Sequence, residues 1–222
     1  FGPTVIVKTK RNALSKIASL DGVLTVETVA PRVLANDLTR VRIGVDDSLT
    51  NMVSTNFHEL SGKDILVNIN DAGVDGAHPD LTNRVFSIDN VNLRDPDGHG
   101  THVAGTIANS GANFPMVTNV FGSPTNANYH GMAPDSKLFV LPIDLITGPL
   151  VSDAFLQERA AEYNYVDQSR TNALISNNSW GLRNVREYNS SAASFDAAVR
   201  DALPEMEGDQ PVLYVFSAGN TG

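Results

Sequence analysis

Cysteine is absent from the 222 residues, so no disulfide staples the fold and thiol chemistry is excluded. That absence leaves the compartment open. Bases are few, with 16 Lys and Arg against 25 Asp and Glu and a formal net charge of -9. Phosphate binding needs a basic face, so nucleic acid is excluded as the main partner. No apolar run approaches the roughly 18 residues of a membrane span. No signal-peptide pattern opens the chain, but it begins on Phe1 rather than methionine, and it ends in "VFSAGNTG" straight after an apolar run. The expectation is a fragment at both ends. What is present is an ordinary globular balance, 41% hydrophobic and 18% charged. That is enough for one substantial core and a small appendage.

The opening reads as a compact strand, helix and strand. "TVIVK" (Thr4–Lys8) and "VLTVETV" (Val23–Val29) are the strands. Ala13, Ile17 and Leu20 recur at helical spacing between them, with Gly22 placed to end the helix. "APRVLANDLTR" (Ala30–Arg40) reads as a linker, and Asp46–Lys63 as loop. From Asp64 the pattern changes. "DILVNIN", "KLFVLPI" (Lys137–Ile143), "ALIS" (Ala173–Ser176) and "PVLYVFS" (Pro211–Ser217) are apolar runs with little alternation, as expected of strands buried on both faces. Between them lie helical segments. "GTHVAGTIA" (Gly100–Ala108) is rich in small residues. Leu156, Ala160, Tyr163 and Val166 recur at helical spacing behind a Ser152 or Asp153 cap. Phe195, Val199 and Ala202 mark a helix stopped by Pro204. Asn109–Gly131 reads as a long surface loop. Strands alternating with helices predict an α/β fold, a doubly wound parallel sheet, and its binding crevice lies at the carboxyl ends of the strands. The residues to read are therefore Asp71, Ser179–Gly181 and Gly219–Asn220.

"DPDGHGTHVAG" (Asp95–Gly105) carries His99 and His102 three apart. Facing one way, they could share a metal, supported by Asp97, His78 or His130. Without a third ligand at motif spacing that evidence is weak, and His102 reads better as a polar residue facing the core. Asp71 alone could be a turn former. Taken together, Asp71, His99 and Asn220, read as lying at the ends of three different strands, make a more specific set. A carboxylate can orient an imidazole, the imidazole can take a proton from a hydroxyl, and an amide can donate to a developing oxyanion.

"INDAGVDGAHPDL" (Ile69–Leu81), "DGHGTHVAGTIA" (Asp97–Ala108), "HGMAPDSKLFVLPI" (His130–Ile143), "NNSWG" (Asn177–Gly181) and "SAGNTG" (Ser217–Gly222) occur in the order seen in the subtilisin-like serine peptidases. From about Asp64 onward the chain resembles that family. The resemblance implies that Asp71 orients, that His99 is the general base and that His102 supports it from the helix. It implies that Asn220 supplies the oxyanion-hole amide. It also implies that Ser179, Trp180 and Gly181, with Gly219, line the strand that pairs with substrate backbone. Residues 1–45 would be a propeptide remnant of a zymogen with its linker, and 46–222 the N-terminal portion of a secreted or cell-envelope catalytic domain. A peptide or protein is the implied substrate, and the chain's own missing C-terminal segment an implied partner. Calcium is common in the family, but no ligand loop for it stands out.

The sequence departs from the family at two points. Ala72 follows Asp71 where Ser or Thr is usual, which removes a hydrogen-bond donor beside the carboxylate. The nucleophile block, G-T-S-M-A or G-T-S-A-A, is not among the 222 residues. Ser179 sits in the substrate-strand motif and Ser217 in an expected buried strand, and neither is in a strand-to-helix elbow. The expectation is a serine endopeptidase whose serine lies outside this chain, so that the chain by itself is inactive. Two alternatives stand beside it: a non-catalytic binding or scaffold module on the same fold, and a metal-dependent hydrolase using the histidine pair.

Overall fold

The computed structural model describes residues 7–26, 36–47, 56, 58–88, 93–113, 129–143, 151–165, 174–181 and 187–220. The chain divides into two compact units, Phe1–Leu34 and Ala35–Gly222.

In the first unit a 3₁₀ turn, Arg11–Ala13, runs into a one-turn helix α1, Leu14–Ala18. Gly22 follows in the left-handed region at φ 86, the conformation that glycine adopts without a Cβ penalty. The described residues 7–26 contain no strand. Val23–Val26 runs as coil with Leu24 89% exposed. The expected strand is not formed there because, among the described residues, no neighbouring strand takes up its peptide groups. Thr4–Ile6 and Glu27–Val29 lie outside the described residues.

The second unit starts earlier than the expected boundary at 45/46. What reads as linker ends in a helix, α2, Asn36–Arg42. The reason is Arg40, only 1% exposed. Its guanidinium donates to the Gly131 carbonyl and sits 3.6 Å from the Asp46 carboxylate. A buried cation needs such partners, and they tie this helix to the larger unit.

The sheet is formed by β1 (Leu66–Asp71), β2 (Val85–Ser87), β3 (Lys137–Pro142), β4 (Leu174–Asn178) and β5 (Val212–Phe216). Their order is β2-β3-β1-β4-β5, and every pairing is parallel. β2 is a strand the sequence pattern does not announce, being only three residues long. Helix α3, His99–Ala108, covers one face. Its small residues Ala104 and Ala108 pack with Val67, Ile69, Leu138 and Val140. Helices α4 (Asp153–Tyr165) and α5 (Ser190–Ala198) cover the other, with Leu156, Ala160, Ala161 and Ala198 against Leu66, Phe139, Leu141 and Val212. Helices on both faces of a parallel sheet make the fold doubly wound, as the alternating pattern predicts.

The caps follow the sequence. Ser152 Oγ accepts from Phe155 N at 3.1 Å, and Asn189 Oδ1 accepts from Ala192 N at 3.0 Å, each satisfying an orphan donor of a first turn. Helix α5 ends at Ala198, before the Ala202 that the periodicity includes. Val166 lies outside the described residues, as does 114–128 of the expected loop. β5 departs from expectation. Leu213 is 57% and Val215 46% exposed. As the edge strand beyond β4 it has its α3-side face open to solvent, so it is not buried on both faces.

Candidate active site

In a parallel sheet all carboxyl ends lie along one crest. Asp71 ends β1, Ser179 follows β4 and Ser217 follows β5, on adjacent strands. Backbone bonds continue across that crest. Ile143 N donates to Asp71 O at 2.7 Å, and Ser217 N to Asn178 O at 3.1 Å.

Helix α3 brings His99 to this crest, and glycines permit the approach. A Cβ on Gly100 would stand 1.9 Å from the Gly73 carbonyl oxygen and 3.1 Å from Asp71 Oδ1. A Cβ on Gly73, which has φ 131, would stand 1.9 Å from the Arg94 carbonyl oxygen. Gly98, with φ 84, turns the chain into the helix. The first-turn N–H groups are taken by carboxylates. Asp95 accepts from Gly98 N at 3.0 Å and from Thr101 N at 2.7 Å. Asp97 accepts from His99 N at 2.8 Å. Negative charge at this end also suits the helix dipole. Thr101 Oγ1 accepts from Asp75 N at 2.9 Å, binding the helix to the loop after β1.

The other end of α3 is held equally. Gly131 N donates to Asn109 O at 2.8 Å, Met132 N to Thr106 O at 3.0 Å and Ala133 N to Ile107 O at 2.8 Å. Arg84 donates to Ala108 O at 2.6 Å, and also to the carbonyls of Asp80, Pro134 and Ser136. The terminal carbonyls of a helix need such partners. Motif reading missed Asp95, Thr101 and Arg84. The positions of Asp95 and Asp97 just ahead of a helix start were the signal for capping. Nothing local marks Arg84, three of whose four acceptors come from distant segments.

His99 Nδ1 lies 2.7 Å from Asp71 Oδ1. Asp71 is buried, while the His99 side chain is 51% exposed. A carboxylate accepts, so the tautomer that suits this contact carries its proton on Nδ1 and keeps the lone pair on Nε2. The hydrogen bond that His99 donates to Asp71 raises the His99 pKa above 6.5. Burial opposes this, and the negative charges of Asp71, Asp97 and Asp95 add to it. Asp71 Oδ1 also accepts from Ala72 N at 2.8 Å. Its Oδ2 is buried with no partner among the described residues. Oδ2 is thus the atom left without a donor at the aspartate where Ala72 replaces the usual hydroxyl residue.

His102 does not face the core. Helix α3 buries Gly100, Ala104 and Ala108 in steps of four, and His102 falls off that stripe and is exposed. It lines a cavity of about 280 Å³ with His78, Asp80, Tyr129 and His130. His99 and His102 therefore look at different neighbours, and the pair required by the metal alternative is not formed. Among the described residues no group of three or more His, Asp or Glu side chains is placed to hold a metal ion.

Ser179 Oγ accepts from Asn177 Nδ2 at 3.0 Å. The Trp180 ring packs edge-on to Phe216 at 5.4 Å and tilted to Phe195 at 6.3 Å, which anchors the 179–181 segment to α5. Ser217 is exposed beyond the end of β5, not inside a buried strand, and its Oγ reaches the Trp180 carbonyl at 3.4 Å. Gly219 has φ 90. Asn220 lies just past it, exposed at the same crest.

A doubly wound parallel sheet with an Asp–His pair at its crest, the histidine on a small-residue helix, has the architecture of the subtilisin-like proteins. The sequence model of the subtilase family, peptidase S8, matches residues 62–222, and the chain belongs to that family. It is 32% identical over 93 residues to the major intracellular serine protease of Bacillus subtilis (strain 168), covering 38% of this chain and 25% of the relative. It is 29% identical over 176 residues to fervidolysin of Fervidobacterium pennivorans, covering 74% of this chain and 22% of the relative. Among solved structures, Sphericase is similar with a TM-score of 0.55 at 29% identity, over 82% of this chain and 52% of that one. The chain thus spans about a quarter or less of the length of these two curated relatives.

Proposed function

We propose that this chain is the Asp–His half of a serine endopeptidase, with Asp71 as orienting carboxylate and His99 as general base. The single observation that carries the reading is the 2.7 Å contact between His99 Nδ1 and Asp71 Oδ1 at the crest of the sheet. In the reaction, a serine hydroxyl attacks a peptide carbonyl while His99 Nε2 takes its proton. Asp71 holds the tautomer and stabilises the imidazolium. His99 then returns the proton to the leaving amine. Asn220 donates to the tetrahedral oxyanion. Ser179, Trp180, Gly181 and Gly219 offer backbone to the substrate on either side of it. The serine is assigned to a segment outside these 222 residues, which contain no G-T-S block; the greater length of the relatives supports that assignment.

The substrate class is peptide or protein. The N-terminal unit is assigned to a zymogen propeptide on the family resemblance. A secreted or cell-envelope location goes with the same resemblance, although one relative is named an intracellular protease, so membership does not fix the compartment. Among the described residues no helix is long and apolar enough to cross a membrane. Calcium has no candidate ligand set among the described residues.

The test is peptide hydrolysis by the encoded protein extended through its G-T-S block. Turnover is expected there, blocked by a serine-directed phosphonate, and abolished by His99→Ala. Asn220→Ala is expected to lower kcat about 10²–10³-fold, the magnitude known for subtilisin's oxyanion asparagine. The 222-residue chain is expected to show no turnover. Hydrolysis by that chain, mapped to a serine within it, overturns the division of labour. Absence of any serine block in the full protein favours the scaffold alternative.

A further inference from the structure

The α4/α5-side face of the sheet is apolar except at its centre. There Asn68, Asn70, Ser176 and Asn178 are each 0% exposed. The partners in register are Asn68 with Ser176 and Asn70 with Asn178, so the four side chains form two polar rungs between β1 and β4. Ser176 Oγ donates to Asn68 Oδ1 at 2.7 Å, and Asn68 Nδ2 to Phe139 O at 3.1 Å. Asn70 Nδ2 donates to Asn178 Oδ1 at 2.8 Å, and Asn178 Nδ2 to Ser176 Oγ at 3.1 Å. Asn70 Oδ1 has no partner among the described residues. Buried amides that are incompletely paired stabilise less than apolar side chains of the same shape. Stability therefore does not explain them.

Their positions do. Asn70 directly precedes Asp71, and Asn178 directly precedes Ser179. The backbone of Asn178 also accepts from Ser217 N at 3.1 Å, so the rungs stand at the root of all three crest segments. β1 and β4 are parallel, far apart in sequence and buried, so burial forbids a one-residue slip, which would turn every side chain to the other face, but it does not forbid a slip of two. A slip of two residues keeps the same faces inward and moves the crest by about 6.6 Å. With the rungs in place, that slip sets Asn68 against Leu174 in one direction and Asn70 against Trp180 in the other, so either way an amide loses its partner.

We propose that the Asn68–Ser176 and Asn70–Asn178 rungs are positioning residues that lock the register of the aspartate-bearing strand against the 179–181 segment and so hold Asp71 where His99 meets it. The inference rests on the Asp71–His99 reading above, and it extends it to residues that touch neither substrate nor imidazole.

The experiment uses the 222-residue chain and needs no turnover. In the parent, NMR titration of the His99 ring is expected to give a raised pKa with a low-field ring N–H resonance. A parent in which His99 titrates at the ordinary value near 6.5 overturns the Asp71–His99 pair itself. The double variant Asn70→Val with Asn178→Val is expected to fold with a Tm no lower than the parent's. Its His99 titration is expected to return towards 6.5, with loss of the low-field signal. Where that double variant does not fold, Ser176→Ala decides. It removes one bridging hydroxyl and is expected to split or broaden the His99 resonance. A folded variant that keeps the parent's titration and low-field signal overturns the positioning role and leaves the Asp71–His99 pair standing.

Discussion

Asp71 and His99 form a pair in which each side chain has a different surrounding. The carboxylate is buried and the imidazole is half exposed, so the pair is fixed at one end and open to solvent at the other. The His99 pKa lies above 6.5 in the folded protein because Asp71 bonds the ring and three carboxylates surround it. Folding therefore favours the protonated ring. The resulting stabilisation is complete below about 6.5 and is lost as pH rises through the raised folded value. Denaturant unfolding across that window is expected to show falling stability, and Asp71→Asn to flatten the fall and lower the His99 pKa. A variant that retains the slope places the titration elsewhere. At Gly100, an added methyl meets the Gly73 carbonyl oxygen at 1.9 Å. Gly100→Ala is expected to cost about 1–3 kcal/mol by overpacking and to push α3 off the crest. A calorimetric Tm together with the His99 resonance checks both effects.

Helix α3 is the element on which the site depends. Propensity does not account for it, since two of its ten residues are additional glycines, Gly100 and Gly105, each costing about 1 kcal/mol relative to alanine. Its ends are held instead: by Asp95 and Asp97 at the start, and by the 131–133 backbone and Arg84 at the finish. Arg84 joins Asp80, Ala108, Pro134 and Ser136 through one guanidinium. Arg84→Met keeps the aliphatic stem and removes all four bonds. The expected loss is about 3 kcal/mol or more, because Ala108 and Ser136 are 0% and Asp80 5% exposed and each buried carbonyl left unpaired costs about 1–3 kcal/mol. Hydrogen exchange is expected to rise first at the C-terminal turn of α3. Unchanged protection there would show that the 131–133 backbone suffices.

At the scale of the molecule, the sheet is covered on both faces only as far as β4. β5 presents Leu213, Val215 and Phe216 with 57%, 46% and 42% exposure, on a strand with one pairing partner among the described strands. An apolar edge strand is a template for pairing with another chain. The 222-residue chain is expected to self-associate at micromolar concentration. Leu213→Lys with Val215→Lys is expected to return it to a monomer by light scattering, without loss of β1–β4 packing. A parent that is monomeric throughout would show that the edge is already protected.

The sequence by itself determined the class of fold and the identity of the pair. Continuous apolar runs separated by helical periodicity are the local mark of a parallel sheet buried on both faces, and the Gly-flanked His99 and strand-ending Asp71 are visible as short motifs. Other features are settled by packing between segments that the chain order separates. Periodicity does not locate His102, because only contact with the sheet decides which side of a short small-residue helix is buried, and that side is the Gly100, Ala104, Ala108 stripe. Arg40 turns an expected linker into a docked helix through partners at Asp46 and Gly131. β5 reads as buried, yet edge position in the sheet exposes it. The buried rungs read as two asparagines in one apolar run, a serine at the end of another and an asparagine in the motif that follows it. Only their register across β1 and β4 made them neighbours, since side-chain pairing between strands is a property of the sheet and not of either strand.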